Sequence, residues 1–463
     1  MKISASVVAQ MLGSWDAGPG PAHQRLSDRL RLLVLDGRLV LDAALPSERD
    51  LALALRVSRT TVGTAYRSLA DAQFIDTRPR SRAVVRLPDD PMPHRRAASS
   101  APTIDLSFAA PAAPGPILHR AFATALERLP RYFDRRGYER DGVVELRESV
   151  ARWYAGRGLA TRPNQIMITN GALHAVALIA RTLVRPGDRV VIDHPTYPHA
   201  IRAFTDARAR LVPVALEPDG WNAGQLRVAG RGAAMAYLIP DFHNPTGQCM
   251  PARVRRGLEL ECPIVVDETM ADLAIDLPRP VAFAADHPDA ISIGSTSKSI
   301  WGGLRIGWIR ARPSILNRLS QMRPGTDLGT PILEQLAASV LLDSLHTHLP
   351  DRVDLLRAQR QALYNALAQH LPDWTVPIPP GGLSFWVALG DPISSRLAAI
   401  APDYGITLAA GPRFGIGGAF ERHVRLPYSL PEEDFAAAVE QLAAAHRAVL
   451  RGERGKHKPS TVA

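Results

Sequence analysis

The fold assignment of this chain starts from the stretch GSTSKSIWGGLRIGW, residues 294–308, which contains Lys298. Lysine occurs at three other positions among the 463 residues, Lys2, Lys456 and Lys458, so 51 of the 55 basic residues are arginine. Codon bias in a GC-rich genome explains why lysine is scarce, but not why one lysine remains in the middle of the chain. Arginine binds anions as lysine does, but it cannot lose its proton and form an imine. Lys298 therefore indicates amine chemistry.

Groups suited to a phosphate surround this lysine. Ser295 lies three residues before it and offers a hydroxyl, and Arg305 lies seven residues after it and offers a bidentate charge. Upstream, a Gly171-Ala172 turn follows a predicted strand and begins a predicted helix, whose free N–H groups and dipole favour a phosphate. Such a turn is weak evidence alone, because most are structural. Together these residues suit pyridoxal 5′-phosphate, which needs its phosphate held beside an imine-forming lysine.

Three more residues suit the ring of that cofactor. Asp267 follows the predicted strand 264–266, where ligands of a parallel sheet collect, and a carboxylate there keeps the ring nitrogen protonated. Asn244, in an Asn-Pro-Thr-Gly turn, offers a donor to the 3′-oxygen, and Tyr197 offers a flat partner for the ring. Each has a structural alternative: a helix cap, a plain turn and a core residue, respectively. Their joint order and spacing favour the functional interpretation.

Composition gives the fold class and excludes several others. From about residue 104 to 450, short β-branched runs alternate with helical segments, which predicts an α/β domain with a mainly parallel sheet. The 46% hydrophobic and 22% charged residues exclude a mostly disordered chain. No stretch has the roughly 20 apolar residues of a membrane helix. Two cysteines cannot form a disulfide framework or a four-cysteine metal site, so no metal is expected. The N-terminus makes a poor signal peptide, so we expect a cytoplasmic protein.

Residues 21–87 have the pattern of a winged helix-turn-helix. Apolar residues at positions i, i+4, i+7 and i+8, counted from Leu26, give the first helix one buried face. Ser47 and Ser58 are suited to cap a second and a third helix. Two short strands are predicted between residues 74 and 85, joined by an arginine-rich turn. Three helices followed by a basic β-wing predict that the third helix enters the major groove.

The charge of this region also favours nucleic acid. Residues 46–86 contain eight arginines and four acidic residues, which places part of the net charge of +10 here. Thr60, Gly63, Thr64 and Arg67 are predicted on the outward face of the third helix. The alternative is a small helical appendage whose arginines are only solvated.

The motifs LPSERDLA at 45–52, VSRTTV at 57–62 and AYRSL at 65–69 resemble the DNA-binding domain of GntR-type bacterial regulators. The resemblance implies that seven residues lie at the DNA: Ser47, Arg49, Ser58, Arg59, Thr60, Thr61 and the wing residue Arg80. Two features depart from the family: Gly63 stands where a larger residue is usual, and the wing lacks a glycine-rich tip.

The region from about Ile104 to Leu450 resembles the fold-type I, class I aminotransferases. The resemblance implies that Lys298 binds pyridoxal phosphate covalently and that Arg425 binds the α-carboxylate of an amino acid. Tyr138 matches a tyrosine that reaches the phosphate in the partner subunit, which implies a homodimer with shared sites. The implied cofactor-binding residues are Gly171, Ala172, Tyr197, Asn244, Asp267, Ser295, Lys298, Arg305 and Tyr138. Met270 stands where a tyrosine usually donates to the 3′-oxygen, and a thioether cannot donate, so we expect weak transaminase activity at most.

The combination of these parts on one chain resembles the MocR family of regulators, and several motifs resemble its YczR-like branch. The implied organisation is a winged helix-turn-helix (1–87), a linker (88–103), an aminotransferase-like domain (104–450) and a basic tail (451–463). Within the third region, the large part is expected over about 150–330 and the small part over 104–149 and 331–450.

The resemblance implies a bacterial transcriptional regulator that senses pyridoxal phosphate through Lys298 and binds double-stranded operator DNA, where it would be associated with the nucleoid. An amino acid is a candidate co-effector at Arg425. Other branches of the family are linked to vitamin B6 homeostasis, which is a candidate role for this chain that the resemblance does not by itself imply. Two alternatives stay open: an active aminotransferase with a DNA-binding appendage, and a DNA-binding protein whose second domain holds no cofactor. Rapid turnover of amino acids would indicate the first alternative, and a protein without visible absorbance would indicate the second.

Overall fold

The computed structural model describes residues 2–18, 20–77, 81–87 and 104–452. We call the described residues up to 87 the head and those from 104 onward the body. The predicted linker, the wing residue Arg80 and nearly all of the basic tail lie outside the described residues. Within the described ranges, no helix is long and apolar enough to cross a membrane.

The head is a winged helix-turn-helix, as predicted. Its elements are α1 (Ala5–Leu12), α2 (Ala22–Leu35), α3 (Glu48–Leu55), α4 (Arg59–Asp71), β1 (Ile75–Asp76) and β2 (Val84–Val85), with the two strands antiparallel. The Ser47 hydroxyl accepts a hydrogen bond from the backbone N–H of Asp50 at 3.1 Å, and Ser58 accepts from Thr61 at 3.0 Å. Both predicted helix caps are therefore confirmed. Helix α1 was not predicted, and its Leu12 is fully buried in the head core.

The prediction for Gly63 is wrong. This residue is buried in α4 rather than on its outward face. A Cβ atom there would lie 3.3 Å from the carboxylate of Glu48, whose side chain also forms an ion pair with Arg59 at 3.2 Å. The small residue therefore lets α3 and α4 approach closely, which explains the departure from the usual larger side chain.

The body contains two sheets and eleven helices within the described residues. Its strands are β3 (Ile104–Leu106), β4 (Ile166–Thr169), β5 (Arg189–His194), β6 (Arg210–Glu217), β7 (Gly220–Trp221), β8 (Met235–Leu238), β9 (Ile264–Asp267), β10 (Ile291–Ser295), β11 (Gly307–Arg310), β12 (Ser384–Ala388), β13 (Ile406–Ala410) and β14 (His423–Pro427). Its helices are α5 (Gly115–Arg128), α6 (Val144–Ala155), α7 (Ala172–Leu183), α8 (Pro198–Asp206), α9 (Ala223–Gly230), α10 (Ala252–Arg256), α11 (Pro313–Met322), α12 (Ile332–Asp343), α13 (Leu345–His370), α14 (Ser394–Ile400) and α15 (Glu432–Leu450).

The larger sheet has eight strands in the order β4-β11-β10-β9-β8-β5-β6-β7. The five central strands, β10, β9, β8, β5 and β6, run parallel to one another. Strand β11 is antiparallel to both of its neighbours. The prediction of an α/β fold with a mainly parallel sheet is confirmed. Asp267 ends β9 and Ser295 ends β10, so both predicted site residues lie at the carboxyl edge of adjacent parallel strands.

The smaller sheet has the order β12-β14-β13-β3 and shares one apolar core with α13, α14 and α15. Helices α5, α6 and α12 instead share a core with β4 and β11 of the larger sheet. Residues 115–149 and α12 therefore belong with the larger sheet, although the sequence placed them in the small part. Their apolar faces gave no indication of which sheet they would cover, because periodicity identifies a buried face but not its partner.

Candidate functional site

Lys298 lies directly after β10, in a single π-helical turn at Ser297–Trp301. Its Nζ atom donates a hydrogen bond to the carbonyl oxygen of Ala109 at 2.7 Å. Burial, together with the neighbouring Arg425 guanidinium, lowers the pKa of Lys298 to about 8. At neutral pH this amine is therefore unprotonated far more often than an ordinary lysine, as a nucleophile for a carbonyl group must be.

Asp267 is buried at the end of β9 and accepts two hydrogen bonds. The hydroxyl of Tyr237, on the next strand β8, donates to its Oδ2 atom at 2.8 Å. The backbone N–H of Thr269 donates to Oδ1 at 3.0 Å. The sequence pointed to Asp267 but missed Tyr237, which resembled a core aromatic; the need of a buried tyrosine hydroxyl for a partner was the available signal.

The predicted phosphate side brings Gly171, Ala172 and Arg305 together. Ala172 is the first residue of α7, which has no side-chain cap, so its N-terminal N–H groups are available to a ligand. Gly171 has φ +83°, and a Cβ atom there would lie 2.7 Å from Nη2 of Arg305. Arg305 itself donates to the carbonyl oxygens of Gly302 and Asn170, each at 3.3 Å. A guanidinium therefore lies over a helix N-terminus, and both favour an anion.

Ser295 is buried, and its hydroxyl lies 2.9 Å from the carbonyl oxygen of Ile306, which it donates to. Its Oγ atom also lies 2.7 Å from Oγ of Ser297 and accepts from the Ser297 N–H at 3.1 Å. A hydroxyl has one hydrogen to donate, so Ser297 becomes a second candidate donor to a phosphate. The sequence missed Ser297, although it immediately precedes the lysine.

Arg425, on β14, is buried beside Asn244 and Phe414. Its Nη1 atom lies 3.4 Å from Oδ1 of Asn244, Nη2 donates to the carbonyl oxygen of Ser107, and the guanidinium lies 5.0 Å from the centre of the Phe414 ring. Its Nε atom has no hydrogen-bond partner among the described residues. Burial and the charge of Arg413 lower the pKa of Arg425 to about 10. An anionic ligand would give the Nε atom a hydrogen-bond partner and the buried guanidinium a counter-charge.

Most of the predicted site residues of the body lie close together. The charges of Arg425, Asp267 and Arg305 all act on Lys298. Tyr197 is half-buried in the same region, where burial and the charge of Asp267 raise its pKa to about 12.

Two residues that the resemblance singled out lie elsewhere. The side chain of Tyr138 is 68% exposed on the surface of this single chain. Met270 is 3% exposed and belongs to the apolar core of the smaller sheet, so it offers no donor to the site.

The predicted DNA-contacting residues of the head lie around the N-termini of α3 and α4. Arg49, Ser58, Arg59 and Thr60 are exposed, whereas Ser47 and Thr61 are partly buried. The Arg59 side chain is 76% exposed and paired with Glu48. An exposed arginine beside exposed hydroxyl groups at one helix N-terminus is suited to phosphate and base-edge contacts.

Comparison with known proteins places both regions. The family model for aminotransferase class I and II matches residues 132–442, and the model for bacterial regulatory proteins of the gntR family matches residues 22–85. The probable rhizopine catabolism regulatory protein MocR of Rhizobium meliloti is 30% identical over 76% of this chain and 78% of its own length. The vitamin B6 salvage pathway transcriptional repressor PtsJ of Salmonella typhimurium is 27% identical over 86% of this chain and 92% of its own length.

Among solved structures, LysN, an alpha-aminoadipate aminotransferase from Thermus thermophilus, matches the body with a TM-score of 0.69. It is 27% identical and covers 75% of this chain and 93% of its own. The chain therefore belongs to the aminotransferase class I and II family and, with its GntR-type head, to the MocR family of regulators. Relatives that share both regions favour a DNA-binding regulator over an enzyme with an appendage.

Proposed function

We propose that this chain is a transcriptional regulator that binds operator DNA through its head and responds to pyridoxal 5′-phosphate bound in its body. One observation carries the proposal. A lysine of lowered pKa, a buried carboxylate, and an arginine over an uncapped helix N-terminus act on one site, and the same chain presents a winged helix-turn-helix. A cytoplasmic, nucleoid-associated location follows from this proposal.

The residues of the body fit the cofactor. Lys298 would hold it covalently, and Asp267, fixed by the hydrogen bond from the Tyr237 hydroxyl, would lie at the ring nitrogen. Asn244 would face the 3′-oxygen and Tyr197 the ring. Gly171, Ala172, Arg305 and either Ser295 or Ser297 would bind the phosphate. When bound, the cofactor supplies an electrophilic carbonyl carbon and an electron sink.

The chain's own residues determine what a ligand can do there. Lys298 takes up or releases a proton at Nζ near neutral pH. Arg425, whose Nε atom has no hydrogen-bond partner among the described residues, orients a carboxylate. Met270 donates nothing to the 3′-oxygen, which leaves Asn244 as the donor from the predicted set. This set supports ligand sensing more than rapid turnover.

A homodimer with shared sites is part of the proposal. Leu126, Phe133 and Tyr138 are all more than half exposed along one stretch of the body. Several large, exposed apolar side chains close together in the sequence favour a protein–protein interface. In a dimer, Tyr138 would approach the phosphate site of the partner. Two heads would then bind two half-sites of an operator.

The alternative function is an active aminotransferase, favoured by the joint presence of Lys298, Asp267 and Arg425. A steady-state screen of amino acids with a common keto-acid acceptor distinguishes it: turnover at the rates of ordinary enzymes would contradict the regulator proposal. Vitamin B6 homeostasis, the process named for PtsJ, is a candidate output of the regulator.

The proposal is tested by isolating duplexes from a random-sequence pool with the purified protein and measuring its absorption spectrum. We expect selected DNA, and a visible absorption band of covalently bound cofactor that is lost in Lys298→Ala. A colourless wild-type protein, or no selected sequence, would contradict it.

A further inference from the structure

Two turns at the edge of the larger sheet each contain one predicted cofactor residue. Residues 240–248, which follow β8, include Asn244, and residues 267–273, which begin at the end of β9, include Asp267. We call them the β8 turn and the β9 turn. Because β8 and β9 are adjacent parallel strands, the two turns lie side by side at the carboxyl edge of the sheet.

Each turn also holds a buried carboxylate, and one arginine pairs with both. Nη2 of Arg157 donates to Oδ2 of Asp241 in the β8 turn at 2.7 Å and to Oε1 of Glu268 in the β9 turn at 3.1 Å. All three side chains are buried, so dissolved salt screens these ion pairs little. An Nη atom carries two hydrogens and can therefore serve two acceptors. Arg157 connects the two turns.

Arg157 is itself held by residues outside the two turns. It follows helix α6, and its Nε atom donates to the carbonyl oxygen of Pro280 at 3.1 Å. The carbon of its guanidinium lies 4.6 Å from the centre of the Trp153 ring on α6. Its own carbonyl oxygen accepts a hydrogen bond from the N–H of Ala282 at 3.0 Å. The guanidinium is thus fixed in place and can hold both turns at a constant separation.

The β8 turn is closed by its own hydrogen bonds, so the position of Asp241 determines that of Asn244. The N–H of His243 donates to the carbonyl oxygen of Gln248 at 2.7 Å. The Thr246 hydroxyl lies 3.1 Å from Nδ1 of His243 and accepts from the N–H of Gln248 at 3.3 Å. A loop closed in this way moves as one unit, and an ion pair at Asp241 therefore places the whole unit.

Glu268 is coupled as closely to Asp267, which precedes it directly. Its N–H donates to the carbonyl oxygen of Ile293 on β10 at 2.8 Å, which continues the pairing of β9 with β10 beyond Asp267. Successive residues of an extended strand point to opposite faces of the sheet. Arg157 therefore holds the β9 turn through Glu268, on the face opposite to the Asp267 carboxylate.

We propose that Arg157 is a positioning residue of the candidate site and sets the separation between Asn244 and Asp267. This inference rests on the proposed function and deepens it. The nitrogen and the 3′-oxygen of pyridoxal phosphate belong to one rigid ring, so the residues that face them must stay a fixed distance apart. Arg157 bridges the carboxylates of the two turns that carry those residues, and it makes no contact with the ligand itself.

The test separates positioning from folding by changing the buried charges singly and then in balance. Arg157→Met removes the bridge and leaves Glu268 buried without its cation, while Asp241 keeps its ion pair with Arg255, so the melting temperature should fall. Adding Glu268→Gln restores the balance of charge and keeps an acceptor for the N–H of Phe283. The melting temperature of this double variant should recover, although the bridge between the turns is still absent.

Hydrogen exchange of the cofactor-free protein measures the two turns directly. We expect faster exchange in both turns for Arg157→Met and for the double variant, with the larger change in the β9 turn. Arg255→Met is the matched control, because Arg255 also pairs with Asp241 but forms no ion pair with the β9 turn among the described residues. It should accelerate exchange in the β8 turn alone.

The affinity for pyridoxal phosphate, measured by equilibrium dialysis, gives the second comparison. We expect the Kd to rise about tenfold in Arg157→Met, the lower end of the loss found when the partner that orients a metal ligand is removed. The double variant should show the same loss in spite of its restored melting temperature. Arg255→Met should show a smaller loss, since it leaves the bridge in place.

Unchanged exchange in either turn of Arg157→Met would overturn the inference. Wild-type exchange and affinity in the double variant would also overturn it, since Arg157 would then serve folding alone. If Arg157→Met does not fold, the double variant decides the question. A wild-type protein that binds no pyridoxal phosphate would contradict the proposed function instead, and the exchange data without cofactor would still decide the role of Arg157.

Discussion

Two helix N-termini in this molecule are suited to anions, and they differ in whether a side chain caps their free N–H groups. In the head, α4 is capped by its own Ser58 hydroxyl, and Arg59 beside it is 76% exposed. In the body, α7 has no side-chain cap, begins after Gly171, and has Arg305 close above that glycine. At the self-capped N-terminus of α4, the exposed Arg59 is suited to contact a large polyanion such as DNA. An uncapped one leaves its N–H groups for a small phosphate.

The chemistry of the neighbouring basic residues follows the same division. Arginine suffices in the head, where charge alone is needed for phosphates of the DNA backbone. The body needs an amine that loses its proton, and burial beside Arg425 lowers the pKa of Lys298 to about 8. The comparison therefore predicts that changes at the two regions have separable effects.

The largest expected effect is that of Lys298→Ala, which removes the only amine near Asp267 among the described residues. We expect complete loss of covalently bound pyridoxal phosphate, measured as the cofactor retained after borohydride reduction and denaturation. DNA binding by the cofactor-free protein should be unchanged. Covalent cofactor on another residue of the variant would show that the assignment of Lys298 is wrong.

The next largest effect is expected for Arg59→Ala in the head. Loss of a phosphate or base contact should weaken binding to the selected DNA by about 1–3 kcal/mol, or about 5- to 150-fold, and should reduce the salt dependence. Cofactor uptake should be unchanged. Arg227→Ala, which removes an exposed charge from α9 of the body, is the matched control and should bind DNA like the wild type. Equal affinities for the two variants would exclude Arg59 from the interface.

The pH dependence of cofactor attachment gives a third test. Because the pKa of Lys298 is lowered to about 8, the fraction of neutral amine rises through pH 8. The attachment rate should rise from pH 7 and level off above about pH 9, whereas an ordinary lysine would give a rise continuing to about 10.4. Arg425→Gln removes a nearby positive charge and should shift the plateau to higher pH. Stopped-flow absorbance measures both profiles, and identical profiles would contradict the proximity of the two residues.

The smallest expected effect is that of Tyr237→Phe. Loss of the hydroxyl removes one of the two donors to the buried Asp267, which keeps the bond from Thr269, so the free energy of unfolding of the body should fall by about 0.5–1.5 kcal/mol. Urea unfolding measures it. Tyr364→Phe on α13 is the control, since that hydroxyl makes no hydrogen bond in the described part of the chain. If both variants were equally stable, the bond from Tyr237 would contribute nothing to stability.

The features that the sequence predicted are local ones. Ser47 and Ser58 cap their helices because an N-cap is determined by residues three positions apart. Asp267 was predicted because it directly follows a β-branched run, and the ends of parallel strands meet at one edge. The family resemblance supplied the set of cofactor residues, which pattern alone left open.

The features that the sequence missed depend on tertiary contacts. The bond from Tyr237 to Asp267 joins two strands, and the ion pair of Asp36 with Arg413 joins the head to the body. No spacing in the chain encodes either contact. The burial of Gly63 was missed because it depends on where the Glu48 side chain of α3 lies.

The most direct test of the central claim is the affinity of the protein for its selected DNA with and without pyridoxal phosphate, measured for the wild type and for Lys298→Ala at one salt concentration. We predict that the cofactor changes the affinity of the wild type by about 5- to 150-fold, the usual range for coupled sites, and leaves the variant unchanged. Equal affinities of the wild type with and without cofactor, or an equal response in the variant, would contradict the claim that Lys298 couples cofactor binding to the head.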